Sequence, residues 1–413
     1  MYVGRHLESQ VERFFTEFPC VALLGARQVG KSTLLREKFG ALEYRLLDQV
    51  GDPFGARADP GLFLRDIGTP LILDEVQYAP ELLSTVKREV DQRRSNGLYL
   101  LTGSAQWELV KGLSDSLAGR VILLRLDGFS FGERAGQPAS SNWLPAWLES
   151  AKEGALPRNL GRHDLPLQEV IWRGDRPLAV LRGLDTVPAF LDSYLATYMQ
   201  RDVRLVAEPA NVDSFFRFLS LCAGLTAQEV NLTQFGREIG ITPQTSARWL
   251  TLLEGTYQVF RLPAYSRNAL KKVSLKTKMH IVDTGIGCRL QRISSPSALS
   301  GHPLTGALFE SLVVGELRKQ SNVLGTAPAM SHWRAHSGAE VDLVLERDGW
   351  LYPIECKMKS MPSKSDCRGI TAFRQAHEGA KIAAGAVICA CEMPYALTDQ
   401  DFAIPWDATL AAK

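Results

Sequence analysis

Paired cysteines, long apolar runs and a strong charge imbalance are all missing from this sequence of 413 residues. Its seven cysteines are scattered and include no C-x-x-C pair, which argues against a disulfide framework and a zinc site and predicts a reducing environment. The longest run of small apolar residues, 382–391, is too short to cross a bilayer and is typical of a buried strand. The first residues have no apolar core after their basic side chains, so they do not resemble a signal peptide. We therefore expect a soluble, cytoplasmic protein without a membrane partner.

The charge balance does not by itself indicate a nucleic-acid partner, because the formal net charge is only +2. The most lopsided stretch runs from Arg261 to Arg289, where seven Lys or Arg residues accompany a single Asp. It is either a solvated face or a patch that contacts a phosphate backbone. The chain length predicts two or three domains, each with its own core.

Short apolar runs alternate with helix-like stretches in the first part of the chain. Because Gly, Pro and Asp bound the runs and helical lengths separate them, they predict the strands of a parallel α/β sheet. The runs are 20–24, 44–47, 70–73, 98–102 and 121–126. Residues 133–172 are rich in Pro, Gly and Ser, which predicts an insertion or a mobile lid. We place the first domain at 1–190.

The stretch "CVALLGARQVGKSTLL" carries the pattern G-x-x-x-x-G-K-[ST] at Gly25, Gly30, Lys31 and Ser32. An apolar strand precedes it and an amphipathic helix follows, which is the arrangement that cradles phosphates with backbone N–H groups. Lys31 is expected to reach the β- and γ-phosphates of ATP, and the Ser32 hydroxyl to bind Mg²⁺. The other residues expected to surround the nucleotide are Ala26, Arg27, Gln28, Val29 and Thr33.

Polar residues follow two later strands. The run "PLILDEVQ" ends in Asp74 and Glu75, which we expect to hold Mg²⁺ through water and to orient the attacking water, respectively. The run "LYLLTGS" ends in Thr102 and Ser104, which either contact the γ-phosphate or water, or simply mark the turn. Arg120, in "SLAGRV", is placed where an arginine could sense phosphate in the same chain or in a neighbouring subunit, although arginines before strands are common.

A helix-turn-helix pattern occupies part of the predicted middle region, 191–263. The second helix of the pattern has an apolar face, and it leaves Gln244, Thr245 and Arg248 facing outward. If this region binds DNA, those three side chains enter the major groove. The alternative is a winged helix that serves as a lid or a docking module.

The stretch "VDLVLERDGWLYPIECKMK" predicts a hairpin with the turn at "DG". Because side chains alternate along a strand, Glu355 and Lys357 share one face, and Asp342 can lie across from them. A predicted helix near 305–320 carries Glu310, which can complete a shell for Mg²⁺ or Mn²⁺. The alternative is ordinary charges on an exposed hairpin.

Several of these segments together resemble a broad family of prokaryotic AAA-like ATPases whose members carry a C-terminal domain of unknown function. The segments are "GARQVGKSTLL", "LILDEVQ", "LTGS", "SLAGRV", "YLATYMQRDV" and "IVDTGIG". The resemblance implies nucleotide binding and says little about what the nucleotide energy moves.

The C-terminal constellation resembles the PD-(D/E)xK nuclease superfamily, whose core has a helix-borne Glu, an Asp and then Glu-x-Lys. The matching positions are Glu310, Asp342, Glu355 and Lys357, and Val341 stands where the motif has Pro. The resemblance implies a restriction-endonuclease-like fold over 264–413. Such domains also persist as binding modules.

Taken together, the sequence predicts an α/β protein in three parts. The parts are an ATPase domain, a helical and winged-helix region, and a nuclease-like domain. One hypothesis is an ATP-controlled enzyme that acts on DNA, with or without metal-dependent cleavage. The other is a nucleotide-driven switch whose C-terminal domain only binds a partner. A homo-oligomer and the identity of any protein partner stay open.

Overall fold

The computed structural model describes residues 2–47, 51–52, 55–104, 117–138, 142–198, 212–267 and 276–410. The chain divides into two compact units, which are described separately. The first unit holds residues 1–129 and 255–257, and the second holds 130–254 and 258–413. The division therefore falls earlier than the expected boundary at residue 190, and the segment 130–190 packs within the second unit.

Five parallel strands form the sheet of the first unit, in the order β2-β3-β4-β1-β5. The strands β1, β3 and β4 are buried along their whole length, as is typical of a parallel sheet with both faces covered. The apolar runs thus predicted each strand to within one residue. Their bounds are Cys20–Leu24, Glu43–Leu46, Leu71–Asp74, Tyr99–Gly103 and Val121–Arg125.

The order of these strands places the phosphate-binding motif and the acidic motif at the same edge of the sheet. Strand β4 lies between β1 and β3, and all three run parallel, so their carboxyl ends meet at one edge of the sheet. The helices of this unit are Glu8–Glu17 (α1), Lys31–Lys38 (α2), Pro60–Ile67 (α3) and Glu81–Arg93 (α4). Helix α3 begins with Pro60 after the cap Asp59, whose side chain accepts the Leu62 N–H at 2.9 Å.

The helices of the second unit form one apolar core with its sheets. The residues 133–172, expected as an insertion or mobile lid, contribute Trp143, Trp147 and Trp172 to that core. The Pro, Gly and Ser content of this segment is typical of a loop, but its three buried tryptophans pack the segment into the core. The helices are Phe131–Arg134 (α5), Leu144–Ser150 (α6), Leu167–Arg173 (α7), Pro177–Leu181 (α8), Val187–Tyr198 (α9), Val212–Gly224 (α10), Leu232–Ile239 (α11), Pro243–Gly255 (α12), Thr284–Leu290 (α13), Thr305–Asn322 (α14) and Arg368–Ala376 (α15).

The segment "IVDTGIG" has a packing role in this unit. Asp283 caps α13 by accepting the Ile286 N–H at 3.0 Å, and it binds the buried Arg176 guanidinium at 2.6 Å. A side chain on Gly285 would lie 2.5 Å from the Arg173 carbonyl oxygen, so only glycine permits this approach. The segment therefore fixes α13 against the end of α7.

The helix pair predicted in the middle region is present as α11 and α12. Gly240 ends α11 with a left-handed backbone, at φ 80°. Trp249, Leu250 and Leu253 of α12 are buried, as predicted. A three-stranded sheet in the order β7-β9-β8 belongs to the same unit, with strands Gln228–Glu229 (β7), Val259–Leu262 (β8) and Lys278–Ile281 (β9).

A seven-stranded mixed sheet forms the rest of the second unit, in the order β10-β11-β12-β14-β16-β15 with β13 also paired to β12. The predicted hairpin is present: β11 and β12 are antiparallel, and Arg347 pairs with Trp350 at the turn. The strands are Ala329–Arg334 (β10), Glu340–Arg347 (β11), Trp350–Lys357 (β12), Lys381–Ile382 (β13), Gly385–Cys389 (β14), Tyr395–Ala396 (β15) and Asp401–Pro405 (β16). A separate pair joins Leu160–Arg162 (β6) to Ala408–Leu410 (β17). Among the described residues, no helix has the length and apolarity needed to cross a membrane.

Candidate functional site

The loop between β1 and α2 has the backbone of a phosphate cradle. Gly25, Gln28 and Gly30 take positive φ values of 154°, 61° and 98°. A side chain on Gly25 would lie 2.1 Å from the Leu126 carbonyl oxygen, so the close approach of β5 also requires glycine there. The sequence therefore folds locally as the glycine pattern predicts.

The remaining loop residues hold the cradle in place. Ala26 and Val29 are buried, and the Arg27 guanidinium donates to the Tyr78 hydroxyl at 2.8 Å. Thr33 lies exposed in the first turn of α2. The Lys31 ammonium is buried and donates to the carbonyl oxygens of Gly25 at 3.0 Å and Ala26 at 2.9 Å. These residues were all predicted to surround a nucleotide.

Two hydroxyls donate to the acidic end of β3. Asp74 is buried, and its two carboxylate oxygens accept hydrogen bonds from the hydroxyls of Tyr44 and Thr102. Ser32 is a further hydrogen-bonding neighbour of the Tyr44 hydroxyl. Tyr44 therefore links the phosphate loop to the acidic strand end.

The sequence pattern does not indicate Tyr44 as a site residue. It lies on β2, and the Arg36 guanidinium stacks over its ring at 4.2 Å. Burial and the hydrogen bond to Asp74 raise the pKa of the Tyr44 phenol well above its usual range. The hydroxyl is therefore protonated and can donate at neutral pH. An aromatic residue in a short apolar strand gives no sign of such a contact.

Glu75 has different hydrogen-bond partners from those of the preceding residue, Asp74. Its backbone is left-handed, at φ 60°, and its N–H donates to the Thr102 Oγ1 at 3.1 Å. Its carboxylate accepts the Ser104 hydroxyl at 3.1 Å and the Gln77 amide. Ser104 was predicted to contact the γ-phosphate or water, and it lies against Glu75 instead of standing free. Gln77 was not predicted at all.

Arg120 forms an ion pair with Asp91 of α4, with nitrogen–oxygen distances of 2.5 Å and 3.1 Å. Its side chain also donates to the Ala118 carbonyl oxygen at 3.0 Å. Within one chain, the guanidinium is therefore held at the surface by a carboxylate partner. The predicted role in phosphate sensing remains a proposal.

The pair Ser32 and Asp74 fits a Mg²⁺ ion of the kind that accompanies nucleotide phosphates. A hydroxyl and a carboxylate are oxygen donors of the type that Mg²⁺ prefers, and Mg²⁺ keeps several waters of its own. Both side chains already meet at one polar hydroxyl, that of Tyr44. Exchange of that hydroxyl for metal-bound water would satisfy the same oxygens.

The second group of predicted residues converges in the second unit. The Lys357 ammonium on β12 lies 2.6 Å from Glu355 and 3.6 Å from Asp342 on β11. Asp342 also accepts the Cys356 N–H at 2.9 Å. The hairpin thus brings together the three residues that the alternation predicted, and all but Lys357 are buried.

Lys278 on β9 completes this cluster and was missed. Its ammonium lies 2.5 Å from Glu310 of α14 and 3.0 Å from Asp342. In the sequence, Lys278 belongs to the basic stretch that begins at Arg261, which predicts a solvated face or a patch that contacts a phosphate backbone. It is buried instead. The alternation Lys278, Met279, His280, Ile281 was the available signal, because it places both polar side chains on one face of β9.

The charges in this cluster divide unequally among the carboxylates. Burial raises the pKa of Glu310 to about 8 and raises the pKa of Glu355 well above its usual range. Burial also opposes ionisation of Asp342, but the ammonium groups of Lys278 and Lys357 overcome it and hold the pKa of Asp342 low. Asp342 is therefore the carboxylate that carries a full negative charge.

This arrangement does not fit a divalent metal ion. Lys278 stands between Glu310 and Asp342, and Lys357 stands between Asp342 and Glu355. In the part of the chain that the structure describes, no three His, Cys, Asp or Glu side chains are grouped as metal ligands. The predicted metal ligands are thus brought together, but around two ammonium groups.

The outward face predicted for α12 is present. Gln244 and Arg248 are exposed, and Thr245 is half-buried with its N–H donating to the Thr242 hydroxyl at 3.1 Å. Of the basic stretch from Arg261 to Arg289, residues 268–275 lie outside the described residues. The remaining part includes the buried Lys278 and the ion-paired Arg261 and Arg289.

Comparison with known protein families separates the chain into three segments. Residues 17–135 match a family described as an AAA domain. The first unit contains an AAA-like P-loop ATPase domain. Residues 165–297 match DUF8612 and residues 305–409 match DUF4143, both described as domains of unknown function. The second unit therefore has relatives but no assigned chemistry.

Two relatives cover almost the whole chain. The uncharacterized proteins Rv2008c of Mycobacterium tuberculosis and Mb2031c of Mycobacterium bovis are each 28% identical over 407 residues, 98% of this chain and 84% of theirs. Among solved structures, the RuvB Holliday junction branch migration motor of Thermotoga maritima is 15% identical, with a TM-score of 0.32. That match covers 66% of this chain and 95% of RuvB.

Proposed function

We propose that the chain binds and hydrolyses ATP in its first unit and uses that cycle to act on DNA held by its second unit. The observation that carries the ATPase part is the meeting of Ser32 and Asp74 at the Tyr44 hydroxyl. A phosphate loop and an acidic strand end that meet at one polar group form the two halves of a nucleotide site.

Each residue of this site has a proposed role. Lys31 binds the β- and γ-phosphates after its ammonium leaves the loop carbonyls, and Ser32 and Asp74 hold Mg²⁺, directly and through water. The metal, when bound, neutralises charge on the phosphate oxygens. Glu75 orients and deprotonates the attacking water, and Ser104 keeps the Glu75 carboxylate in place.

The ATPase proposal is tested by binding and turnover together. Lys31→Met is expected to abolish binding of a fluorescent ATP analogue, because no other ammonium donates within the loop among the described contacts. Lys38→Met, at the far end of the same helix, is the matched control and should bind normally. Normal ATP binding by Lys31→Met would reject the phosphate-loop assignment.

The DNA part of the proposal is supported by the helix pair α11–α12 and the three-stranded sheet in the same unit, an arrangement compatible with a winged helix. The exposed Gln244 and Arg248 and the half-buried Thr245 are proposed to contact the major groove. The net charge of the chain is small, so affinity must come from such local groups.

A polar cleft beside the helix pair supports the same proposal. It has a volume of about 410 Å³, and its lining includes Lys276 and Arg334 together with Asn231 and Gln234 near the start of α11. Amides and cations of this kind contact phosphate oxygens. Glu229 and Glu340 also line the cleft, so the part of the DNA that lies beside them must be one without a phosphate group.

The proposal for DNA is tested by fluorescence anisotropy of labelled single- and double-stranded DNA across a salt series, with and without ATP. Binding that weakens steeply with salt and changes with nucleotide supports an ATP-controlled action on DNA. Absence of binding in every nucleotide state, at low salt, would reject it.

A second candidate function is a nucleotide-driven switch whose nuclease-like second unit binds its partner without cutting it. The position of Lys278 between two of the carboxylates favours this candidate over metal-dependent cleavage. The geometry of the hairpin and α14 is compatible with a PD-(D/E)xK-type domain that serves as a binding module.

Cleavage assays distinguish the two candidates. Labelled DNA is incubated with the protein and Mg²⁺ or Mn²⁺, with and without ATP, and Glu355→Gln serves as the control. No cleavage together with intact ATP hydrolysis supports the switch. Cleavage by the wild type that Glu355→Gln abolishes would establish a nuclease and reject the switch.

A further inference from the structure

The acidic cluster in the second unit is neutralised from within the chain. The side chains of Asp342 and Glu355 are each 3% exposed, and that of Glu310 is 13% exposed. Buried carboxylates require a cation or a proton nearby. Two lysines supply this positive charge. Lys278 contacts Glu310 and Asp342. Lys357 contacts Glu355 and Asp342.

The two lysines differ in their freedom to move. The side chain of Lys357 is 32% exposed and lies at the end of β12, so it can turn toward solvent. The side chain of Lys278 is 6% exposed, and its strand β9 is paired with both β7 and β8. Lys278 therefore cannot leave the carboxylates without a change in the sheet.

The Lys278 ammonium occupies the position that a metal ion would need in order to bind the surrounding carboxylates. It joins Glu310 of α14 to Asp342 of β11, which are otherwise the two carboxylates most able to share an ion. His280 lies on the same face of β9, fully buried. Its Nε2 is 3.9 Å from the Glu310 Oε1 and has no hydrogen-bond partner among the described residues. An imidazole nitrogen thus lies near the same Glu310 oxygen that the Lys278 ammonium contacts.

We propose that Lys278 is the built-in counter-ion of this cluster and that it excludes divalent metal ions from Glu310, Asp342 and Glu355. The inference deepens the second candidate function, because it gives the physical reason why a nuclease-like arrangement does not cut. It predicts that removal of the Lys278 charge converts the cluster into a metal site, with His280 available as a nitrogen ligand.

The test measures Mn²⁺ binding to the full chain without nucleotide, by the loss of the free Mn²⁺ signal in electron paramagnetic resonance. The variant Lys278→Met keeps the length of the side chain and removes its charge. We expect Lys278→Met to bind one Mn²⁺ at least tenfold more tightly than the wild type. Lys278→Arg is the matched control, and it should gain no Mn²⁺ binding because it keeps the positive charge.

A second substitution assigns the gained site to this cluster. Glu355→Gln added to Lys278→Met should remove the gained binding. Since Lys278→Met leaves the carboxylates unbalanced, its circular dichroism and melting curve are measured first. If it does not fold, Lys278→Met with Glu310→Gln replaces the lysine together with one of its two carboxyl partners and carries the same test on Asp342 and Glu355.

Two outcomes would overturn the inference. One is tight Mn²⁺ binding by the wild type that Glu355→Gln abolishes, which would show that Lys278 does not exclude the metal. The other is a folded variant lacking Lys278 that gains no Mn²⁺ binding. ATP hydrolysis in the first unit is measured separately, so a failure of this inference is distinguishable from a failure of the ATPase proposal.

Discussion

Tyr44 occupies an oxygen of Asp74 that Mg²⁺-bound water would use. The Tyr44 hydroxyl donates to Asp74 and neighbours Ser32, so it would compete with a Mg²⁺ ion held by those two residues. A hydrogen bond to a charged group contributes about 1.5–3 kcal/mol, and part of that is returned when water takes its place. If Ser32 and Asp74 hold Mg²⁺ as proposed, Tyr44 would therefore affect the Mg²⁺ concentration that the nucleotide site requires.

Tyr44→Phe should accordingly lower the Mg²⁺ concentration needed for half-maximal binding of an ATP analogue, by roughly threefold to tenfold, or about 1 kcal/mol. The measurement is a Mg²⁺ titration of a fluorescent ATP analogue at fixed nucleotide concentration. Tyr2→Phe, which removes a hydroxyl that donates to Glu8 of α1, is the matched control and should leave the titration unchanged. An unchanged midpoint in Tyr44→Phe would contradict this role.

Glu310 makes the stability of the second unit depend on pH. Burial raises its pKa from an ordinary value of 4.5 to about 8. Between these values the folded chain keeps a proton that the unfolded chain has released, so the free energy of unfolding falls as pH rises. Its titratable surroundings are Lys278, Asp342, Glu340 and His280, and burial keeps the pKa of His280 well below its usual range.

We expect Glu310→Gln to remove this part of the pH dependence, because an amide resembles the protonated acid. The slope that one bound proton contributes is about 1.4 kcal/mol per pH unit. Urea unfolding between pH 5 and pH 8, followed by tryptophan fluorescence, measures it in the second unit, which holds seven of the eight tryptophans. The exposed Glu340→Gln is the control. A wild-type profile that is flat across this range would refute the assignment.

Helix α12 combines a buried face with an outward one, and the outward face is where a groove contact is proposed. Arg248 is exposed beside the buried Trp249, so its substitution can change binding without disturbing the core. The core residues of this helix were predictable because apolar side chains repeat at helical spacing. What the outward face binds cannot be read from that spacing.

Arg248→Ala should therefore weaken DNA binding by about 1–3 kcal/mol if the side chain reads a base, or reduce the salt slope by about one if it contacts phosphate. Arg217→Ala removes the same charge from the exposed surface of α10 and is the control. Equal losses in both variants would indicate a general charge effect and not a contact of α12.

The elements that the sequence could predict are those with a periodic pattern or a specific motif. The strands β1 to β5 follow from apolar runs, and the phosphate loop follows from its glycines and Lys31. The hairpin follows from alternation around the turn at Asp348 and Gly349. In each case, local sequence alone determines the local structure.

Other features depended on contacts that are distant in sequence. The segment 133–172 looked like a loop because its Pro and Gly content outweighed three separated tryptophans. Lys278 looked like a surface charge because its partners, Glu310 and Asp342, are 32 and 64 residues away. Gln77 and Tyr44 gave no signal because amide and phenol side chains have no spacing rule for such contacts.

At the scale of the whole molecule, Arg120 raises the question of assembly. Within one chain, Asp91 holds the guanidinium at the surface. If Arg120 acts on the nucleotide of a neighbouring copy, then hydrolysis requires at least a dimer. ATP turnover per chain should in that case rise with protein concentration.

Arg120→Ala is then expected to lose hydrolysis while ATP binding stays unchanged. Arginines of this kind contribute about 10³–10⁵ in rate where they have been measured. A mixture of Arg120→Ala with the separately inactive Glu75→Gln should regain part of the activity, because one interface in the mixed assembly keeps both groups. Retained hydrolysis by Arg120→Ala alone would remove the argument for an acting arginine.

The proposed function depends above all on ATP hydrolysis in the first unit, with Glu75 activating the attacking water. The most direct measurement is release of phosphate from ATP with Mg²⁺ by the wild type and by Glu75→Gln, with ATP binding followed in both. We expect turnover by the wild type and a loss of about 10²–10⁴-fold in the variant, with binding retained. Equal turnover by the two proteins, or ATP binding by the wild type without any hydrolysis, would contradict it.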